Sequence, residues 1–476
     1  MLEFVFLLPI VTGLTAMFVP VALGRGILLI AALLHLQLTA MAWLNKLNPY
    51  FPDYFSTSPE GLLILLVTSF IFLFISVYAI SYMRETEMQS EHIFISCMLL
   101  FLGTMSMVTL SDHPIVLWIA IEATTLVSAP LIFINRSKEA LEATWKYVLI
   151  CSVGIALALL GCFFITLAMD IKDIDASLTF SSLNAVAGQL DPNWLKAGFI
   201  FIMIGFGTKM GLAPMHTWLP DAHSQAPSPA SALLSGALLN CAFLGIYKVH
   251  VLMHVAGLGD YSSNILIGFG LVSMFVAGIF ILNQPDYKRM LAYSSVENMG
   301  VIAIGVGIGG IALYGAILHL IHHSLIKSSL FLSAGNILLG FGTRLVKRTG
   351  NLARLFPKTF VAFFAGFAGI SGFPPFGIFI SELLIIMGAF QRGRYAVLAI
   401  FLFCLTLVCA GAARIVMRIS FAANTGDDVL VEERMFRVLP SYALLLTSIG
   451  LCLWMPESIY QIILSTIKVL GGVVNG

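Results

Sequence analysis

Fourteen apolar stretches of about 20 residues run through this chain of 476 residues. A helix needs about 20 apolar residues to cross the hydrocarbon core of a bilayer, so each stretch predicts one transmembrane span. Only 10% of the residues are charged, and a water-soluble globule of this size could not bury the apolar surface that remains. The lipid bilayer is therefore the first predicted partner. The net charge of +1 gives no sign of nucleic-acid binding.

The predicted fold class is an all-α polytopic membrane protein with about fourteen transmembrane helices. Their predicted positions are 2–20, 24–44, 60–82, 92–110, 114–134, 143–169, 194–214, 228–252, 263–284, 289–310, 312–340, 358–390, 394–421 and 436–455. The tail 457–473 is predicted to be either a further span or an interfacial helix. The longest polar stretches, 171–193 and 422–435, are predicted to be loops.

The Lys and Arg residues are distributed unevenly between the loops. Fifteen of the 25 lie in or beside odd-numbered loops, whereas the even-numbered loops and the tail carry only Lys46, Lys172, Lys196, Arg392, Arg394 and Lys468. Cytoplasmic loops carry the excess of basic residues in membrane proteins. Both termini are therefore predicted on the non-cytoplasmic side of the inner (cytoplasmic) membrane of a cell.

Two spans are interrupted by clusters of Gly and Pro. One cluster comprises Gly211, Pro214, Pro220, Pro227 and Pro229, and the other Gly372, Pro374, Pro375 and Gly377. Broken helices at membrane depth occur where they line a cavity or are buried in protein. Because the breaks lie five spans apart, in spans 7 and 12, we predict two inverted five-helix repeats. The predicted divisions are helices 1–3 in 1–91, the first repeat in 92–253, the second repeat in 254–421, and helix 14 with the tail in 422–476.

Several ionisable residues lie within the predicted spans, where a charge is costly and usually functional. They are Glu122, Lys146, Lys209, Glu297, His319, His322, His323, Lys327 and Glu382. Lys209 and Glu382 lie beside the two breaks. His319, His323 and Lys327 follow one another at steps of four and share one helix face, whereas His322 points to an adjacent face.

These residues predict a path for protons through the membrane. Burial disfavours the charged form of both lysine and glutamate, and histidine already exchanges protons near neutral pH. The alternative is that they form buried ion pairs or are snorkelling side chains at the helix ends. For Lys146 and Glu297 the two interpretations are balanced. For His319 and His322 alone, a hydrogen-bonded packing role is favoured.

Other motifs do not predict a cofactor or a metal. The seven cysteines form no CxxC pair, so neither an iron–sulfur cluster nor a zinc site is expected. Gly305, Gly307 and Gly310 match GxGxxG, but they lie in an apolar span with no strand before it. His216, Asp221 and His223 could bind a metal, although we favour polar groups that line a cavity mouth.

Three longer motifs resemble a known family. They are KMGLAPMHTWLPDAHSQAPSPASALLSG from Lys209, DYKRMLAYSSVENMG from Asp286 and HHSLIKSSLF from His322. They resemble the antiporter-like subunits of respiratory complex I, of Mrp-type sodium/proton antiporters and of group 4 membrane-bound nickel–iron hydrogenases. Within this family, the stretch from Glu139 and the motif SVENMG look most like hydrogenase-4 component F.

The resemblance implies a central polar axis in the plane of the membrane. It implies that Glu122 pairs with Lys209, and that His323, Lys327 and Glu382 continue the axis. The related complex I subunit has a lysine in the eighth helix, where this chain has Asn240. Because Asn carries no proton charge, the relay at this point is expected to use water or neighbouring groups.

The expected function is a proton-translocating subunit of a membrane-bound redox complex, of the hydrogenase-4, formate-hydrogenlyase or complex I type. The expected partners are other membrane subunits and redox subunits that hold iron–sulfur clusters and nickel–iron. The transported ion is expected to be the proton, with sodium as the alternative. The alternative function is an Mrp-type sodium/proton antiporter subunit, or a proton-coupled inorganic-carbon transport subunit, without a redox partner. A third alternative, an enzyme acting on quinone or hydrogen, conflicts with the missing cofactor ligands.

Overall fold

The computed structural model describes residues 1–88, 90–423 and 433–471, and within them it contains helices and two isolated β-bridges but no strand. The predicted fold class is confirmed. Twelve helices in these ranges are long and apolar enough to cross a membrane, while span 1 and each half of span 12 are shorter. The spans, numbered in chain order, are span 1 Phe4–Ala16, span 2 Val21–Trp43, span 3 Pro59–Glu85, span 4 Glu91–Leu110, span 5 Pro114–Phe133, span 6 Lys138–Asp170, span 7 Pro192–Met210 and Trp218–Gln225, span 8 Ser228–Leu233 and Leu239–Val255, span 9 Gly259–Leu282, span 10 Tyr287–Ile308, span 11 Ile311–Phe341, span 12 Pro357–Ile370 and Gly377–Gln391, span 13 Tyr395–Phe421 and span 14 Met435–Leu453.

Local sequence explains where several spans begin. Span 6 begins after Ser137, whose hydroxyl accepts a hydrogen bond from the Ala140 N–H. Asp191 caps span 7, and a proline follows it at the first helical position. Asp286 caps span 10, where its side chain accepts hydrogen bonds from the Lys288 and Arg289 N–H groups. Side-chain acceptors at these positions satisfy N–H groups that have no partner inside the helix.

The two breaks lie where the sequence predicts them. The first half of span 7 ends at Met210, and Gly211 then adopts a left-handed conformation with φ +83°. In span 12, Gly372 has φ +70° and the second half begins at Gly377. Each break contains a cis X–Pro peptide bond. Glycine adopts positive φ without the steric cost of a side chain, so it ends each half-helix abruptly.

The spans beside the breaks form the centre of the bundle. The most apolar windows of spans 8 and 10 are 100% buried, whereas those of spans 2 and 13 are only 28% buried. Span 6 packs on span 7, and span 11 packs on both halves of span 12. The ionisable residues of these central spans are therefore kept away from the outer surface. We call the side of the molecule with the odd-numbered, Lys- and Arg-rich loops the basic side.

Two sequence predictions need amendment outside the spans. The stretch 171–193 is not only a loop, because it contains the helix Phe180–Val186. The tail forms the helix Glu457–Lys468, whose 12 residues reach about 18 Å, short of the hydrocarbon core of about 30 Å. The short length favours the interfacial alternative, and the helix packs on spans 3 and 11. Most of the predicted loop 422–435 lies outside the described residues.

Candidate proton-transfer axis

The first cluster of polar groups surrounds Lys209 at the first break. Lys209 is fully buried, and its Nζ donates hydrogen bonds to Thr125 Oγ1 at 2.7 Å and to the Tyr147 hydroxyl at 2.6 Å. The ammonium group also lies 4.5 Å from the centroid of the Tyr147 ring and 6.0 Å from that of Trp218. Two hydroxyls and two aromatic faces thus take the place of bulk water around this cation.

Glu122 is connected to Lys209 through one hydroxyl. Thr125 Oγ1, which accepts from Lys209, donates to Glu122 Oε2 at 3.4 Å. Ser152 donates to the other carboxylate oxygen at 2.8 Å. No direct Glu122–Lys209 ion pair within 4 Å is found in the described part of the chain, so the pair that the resemblance implies is bridged by Thr125. A proton leaving Lys209 for Glu122 would cross this hydroxyl.

The second cluster surrounds Lys327 in span 11. Lys327 is fully buried, and its Nζ donates to the Leu291 carbonyl at 2.5 Å and to the Ser294 hydroxyl. Glu297 lies one turn beyond Ser294 on span 10. A lysine and a glutamate therefore occur in the second cluster as they do in the first.

Asn298 connects Glu297 to His319. The Asn298 amide nitrogen donates to Glu297 Oε2 at 2.5 Å and to the Ser294 carbonyl at 2.6 Å. These two bonds turn the amide oxygen of Asn298 toward His319 Nε2, at 2.9 Å. The His319 Nε2 atom is therefore the donor in this contact. Its other nitrogen, Nδ1, lies 2.9 Å from Ser381 Oγ, which can also donate to the Ile378 carbonyl at 2.8 Å.

Glu382 lies at the second break and lines a cavity. Its carboxylate occupies the space that a side chain on Gly372 would need. The cavity has a volume of about 420 Å³ and is also lined by Glu297, Ser294 and Thr406. It brings two glutamates from spans 10 and 12 to one cavity. The residues of the second cluster therefore lead from Lys327 to Glu382.

Between the two clusters lies Asn240 in span 8. Its amide nitrogen donates to Ser324 Oγ at 2.7 Å and to the Gly236 carbonyl at 3.0 Å. Ser324 follows His323 on span 11, so this bond joins the two halves of the molecule. His323 is fully buried, and among the described residues neither of its ring nitrogens has a hydrogen-bond partner. The link between the clusters is neutral and polar.

Lys146 lies away from these clusters. Its side chain is 45% exposed and forms ion pairs with Glu142 at 2.6 Å and with Asp221 at 3.0 Å. Asp221 also pairs with Arg289 at 3.0 Å. The structure therefore places Lys146 at the basic side, on the rim of a cavity of about 250 Å³. Whether it exchanges protons with the axis stays a prediction.

The histidines near the first break do not assemble a metal site. His223 is buried and stacks on Phe331, with 5.0 Å between the ring centroids, while Asp221 is engaged by Lys146 and Arg289. In the described ranges no three His, Cys, Asp or Glu side chains come together as metal ligands would. The ring centroid of His216 lies 6.1 Å from that of Tyr293.

Sequence reasoning did not identify six polar residues that connect the ionisable groups. They are Thr125, Tyr147, Ser152, Ser294, Asn298 and Ser381. Hydroxyl and amide residues are common inside membrane helices, where most of them bond to the backbone of their own helix. Ser294 and Asn298 lie within the motif DYKRMLAYSSVENMG, and Tyr147 and Ser152 lie within the stretch from Glu139, so these two motifs were the available signals.

The chain matches known proteins over most of its length. Residues 111–408 match the family model described as NADH:quinone oxidoreductase/Mrp antiporter, TM. The hydrogenase-4 component F homolog of Methylacidiphilum infernorum is 32% identical over 428 residues, which cover 85% of this chain and 89% of that protein. Hydrogenase-4 component B of Escherichia coli is 32% identical over 348 residues, covering 70% of this chain and 51% of that protein.

A solved structure has the same fold. A chain of the membrane-bound sulfane sulfur reductase, an archaeal respiratory membrane complex, superposes with a TM-score of 0.86 over 98% of this chain and 97% of its own length, at 19% identity. The family model covers more than half of the chain, and the first relative aligns over nearly its full length. This multi-pass membrane protein is therefore an antiporter-like subunit that belongs to the NADH:quinone oxidoreductase/Mrp antiporter family.

Proposed function

We propose that this chain translocates protons within a membrane-bound redox complex of the hydrogenase-4 or formate-hydrogenlyase type. Its partners would be other membrane subunits and redox subunits that carry iron–sulfur clusters and nickel–iron. The complex would lie in the cytoplasmic membrane, with the basic side facing the cytoplasm. The relatives that are named hydrogenase-4 components F and B support this parent complex over the other members of the family.

One observation carries the proposal. Each half of the molecule places a fully buried lysine and a glutamate in a network of hydroxyls and amides, and each network reaches a broken helix. A fully buried lysine at membrane depth is energetically costly, and residues of this kind usually have a function. The proton route would be formed by Glu122, Lys209, Lys327, His319, His323, Glu297 and Glu382.

The proposed mechanism begins with an electrostatic change at one end of the axis. Charge approaching Glu122 would disrupt the contact that Thr125 makes between Glu122 and Lys209, and would favour release of the lysine proton. The proton would pass the neutral region of Asn240 and reach the second cluster. Moving one charge against 100 mV costs about 2.3 kcal/mol, which a redox step can supply.

The first prediction concerns the two residues at the breaks. Substituting Lys209→Ala or Glu382→Ala should lower the rate of proton translocation at least tenfold, the equivalent of about 1.4 kcal/mol in the transfer step. The measurement is acidification of vesicles that contain the purified complex, with redox turnover recorded in parallel. Lys172→Ala is the control, because Lys172 is 48% exposed and outside the clusters. Proton translocation at the parent rate in both variants would contradict the proposal.

The parent complex can be identified separately. The gently solubilised native complex would be analysed by mass spectrometry, with nickel and iron quantified. Hydrogenase-like large and small subunits that copurify with these metals would support a redox-driven pump. Mrp-like partners alone, or a single soluble zinc protein, would instead support an antiporter or an inorganic-carbon transporter.

A further inference from the structure

Span 11 carries a second polar stripe that the axis does not use. His322, Ser329, Ser333 and Asn336 follow at steps of seven, four and three, which places them on one helix face. At 3.6 residues per turn, this face is rotated by about 110° from the face of His319, His323 and Lys327. All four residues of the stripe are at most 6% exposed. The stripe is therefore buried against other helices and does not face lipid.

Spans 3 and 14 contribute further polar residues to the same stripe. His322 Nδ1 lies 2.9 Å from Ser448 Oγ, and Ser329 donates to the Ser441 carbonyl at 3.0 Å. Nearer the basic side, the Tyr78 hydroxyl of span 3 donates to Asn336 Oδ1 at 3.2 Å. We call these seven buried residues the second polar column: Tyr78, His322, Ser329, Ser333, Asn336, Ser441 and Ser448.

Several polar atoms of the column have no hydrogen-bond partner. Within the described residues, these four atoms are His322 Nε2, Ser333 Oγ, Asn336 Nδ2 and Ser441 Oγ. Buried polar groups are almost always paired with protein or with ordered water. A helix contact held only by polar side chains would pair them with one another. The pattern fits water molecules that bridge successive side chains.

The two ends of the column show which parts of the molecule such water bridges would connect. Span 11 ends on the basic side, beyond Asn336, and the buried residues Tyr78 and Arg437 lie at that end. At the other end, the edge of the His322 ring that carries the unpartnered Nε2 fills the space beside Gly377, where the second half of span 12 begins. Glu382 lies across the same break, against Gly372. The column therefore runs from the basic side to the second break, over about 21 Å between His322 and Asn336 at 1.5 Å per residue.

We infer that the second polar column is a water-bridged proton conduit that supplies the second cluster from the basic side. Each hydroxyl, and finally His322, would accept a proton from one neighbour and release a different proton to the next, so that no net charge stays on the column. His322 would release its proton across the break toward Glu382. The inference rests on the proposed function, because it gives the second cluster its own source of protons in addition to Lys209.

Translocation by the intact complex tests the inference. The double substitution Ser333→Ala and Ser441→Ala, and separately Asn336→Leu, should lower proton translocation about tenfold, the equivalent of about 1.4 kcal/mol. Ser420→Ala is the matched control, because Ser420 is fully buried on span 13 with an unpartnered hydroxyl but lies outside the column. It should translocate at the parent rate. Parent rates in the column variants would overturn the conduit.

Accessibility to a small ion provides a readout that does not depend on activity. Silver ions would be added to the basic side of vesicles containing Ser333→Cys or Ser441→Cys, and thiol labelling compared with that of the parent, which has seven native cysteines. Leu332→Cys and Leu444→Cys are controls at matched depth and burial. We expect labelling at Ser333 and Ser441 alone. Equal labelling at all four positions, or at none, would show that the column is helix packing without water.

The two tests separate this inference from the proposed function. Loss of translocation in Lys209→Ala with parent rates in the column variants would remove the conduit and keep the proposed function. Parent rates in Lys209→Ala and in the column variants would remove both the conduit and the proposed function. Loss in both sets, together with selective silver labelling, is the expected result.

Discussion

At the scale of single residues, neutral side chains determine how the charged ones can communicate. Thr125 lies between Lys209 and Glu122 as acceptor for one and donor for the other. Asn298 occupies the corresponding place between Glu297 and His319. Neither residue holds a charge, but each orients the groups on both sides. A hydroxyl can also pass a proton on, whereas the Asn298 amide can only hold its neighbours in place.

Thr125→Val should test this role with little change in shape. Valine keeps the branched side chain but removes the hydroxyl, so proton translocation should fall about tenfold, as for the loss of one hydrogen bond of about 1.4 kcal/mol. Thr125→Ser, which keeps the hydroxyl, should retain most of the activity. Thr109→Val is the control, because Thr109 is equally buried and bonds only to the Ser106 carbonyl of its own helix. Translocation by Thr125→Val at the parent rate would exclude the bridge.

At the scale of elements, the breaks in spans 7 and 12 organise the site. The first half of each broken span ends within two residues of a glycine with positive φ, and the chain then turns through a proline-containing segment. These features were predictable from sequence because Gly and Pro act through the local backbone. The neighbours that pack into the breaks were not predictable, since Trp218 and His322 reach them only after the helices have packed. The place of Lys146 on the rim of a cavity, paired with Asp221, also depends on tertiary packing.

Gly377→Ala should show how closely the second break is packed. The His322 ring occupies the place of the new methyl group, so the substitution should displace the ring and cost about 1–3 kcal/mol. Thermal unfolding of the solubilised complex would measure the loss. The double variant Gly377→Ala with His322→Ala should be less destabilised than the sum of the single variants, because the clash is removed. Gly450→Ala, which has nothing within 4 Å of the added carbon, is the control. Strict additivity would mean that the two residues do not interact.

At the scale of the whole molecule, the two clusters have similar components but different connections. The first is compact and joined by hydroxyls around Lys209, whereas the second extends through Asn298 and His319 to a cavity of about 420 Å³. Hydropathy and the spacing of the breaks predicted the fourteen spans and the principal charged residues. The division of the chain into four parts stays a prediction. The cavity and the second polar column could not be foreseen, because they arise from side chains on spans that are distant in sequence.

The two clusters meet at Asn240, and its substitution tests whether they act as one path. Asn240→Leu keeps a similar volume but removes the hydrogen bonds to Ser324 and Gly236. If protons cross from the first cluster to the second, this variant should translocate protons about tenfold more slowly, the equivalent of about 1.4 kcal/mol in the transfer step. Asn240→Gln, which keeps the amide, should stay close to the parent. Parent translocation in Asn240→Leu would mean that the two clusters are loaded separately, and that supply of the second cluster depends on the column beside span 11 alone.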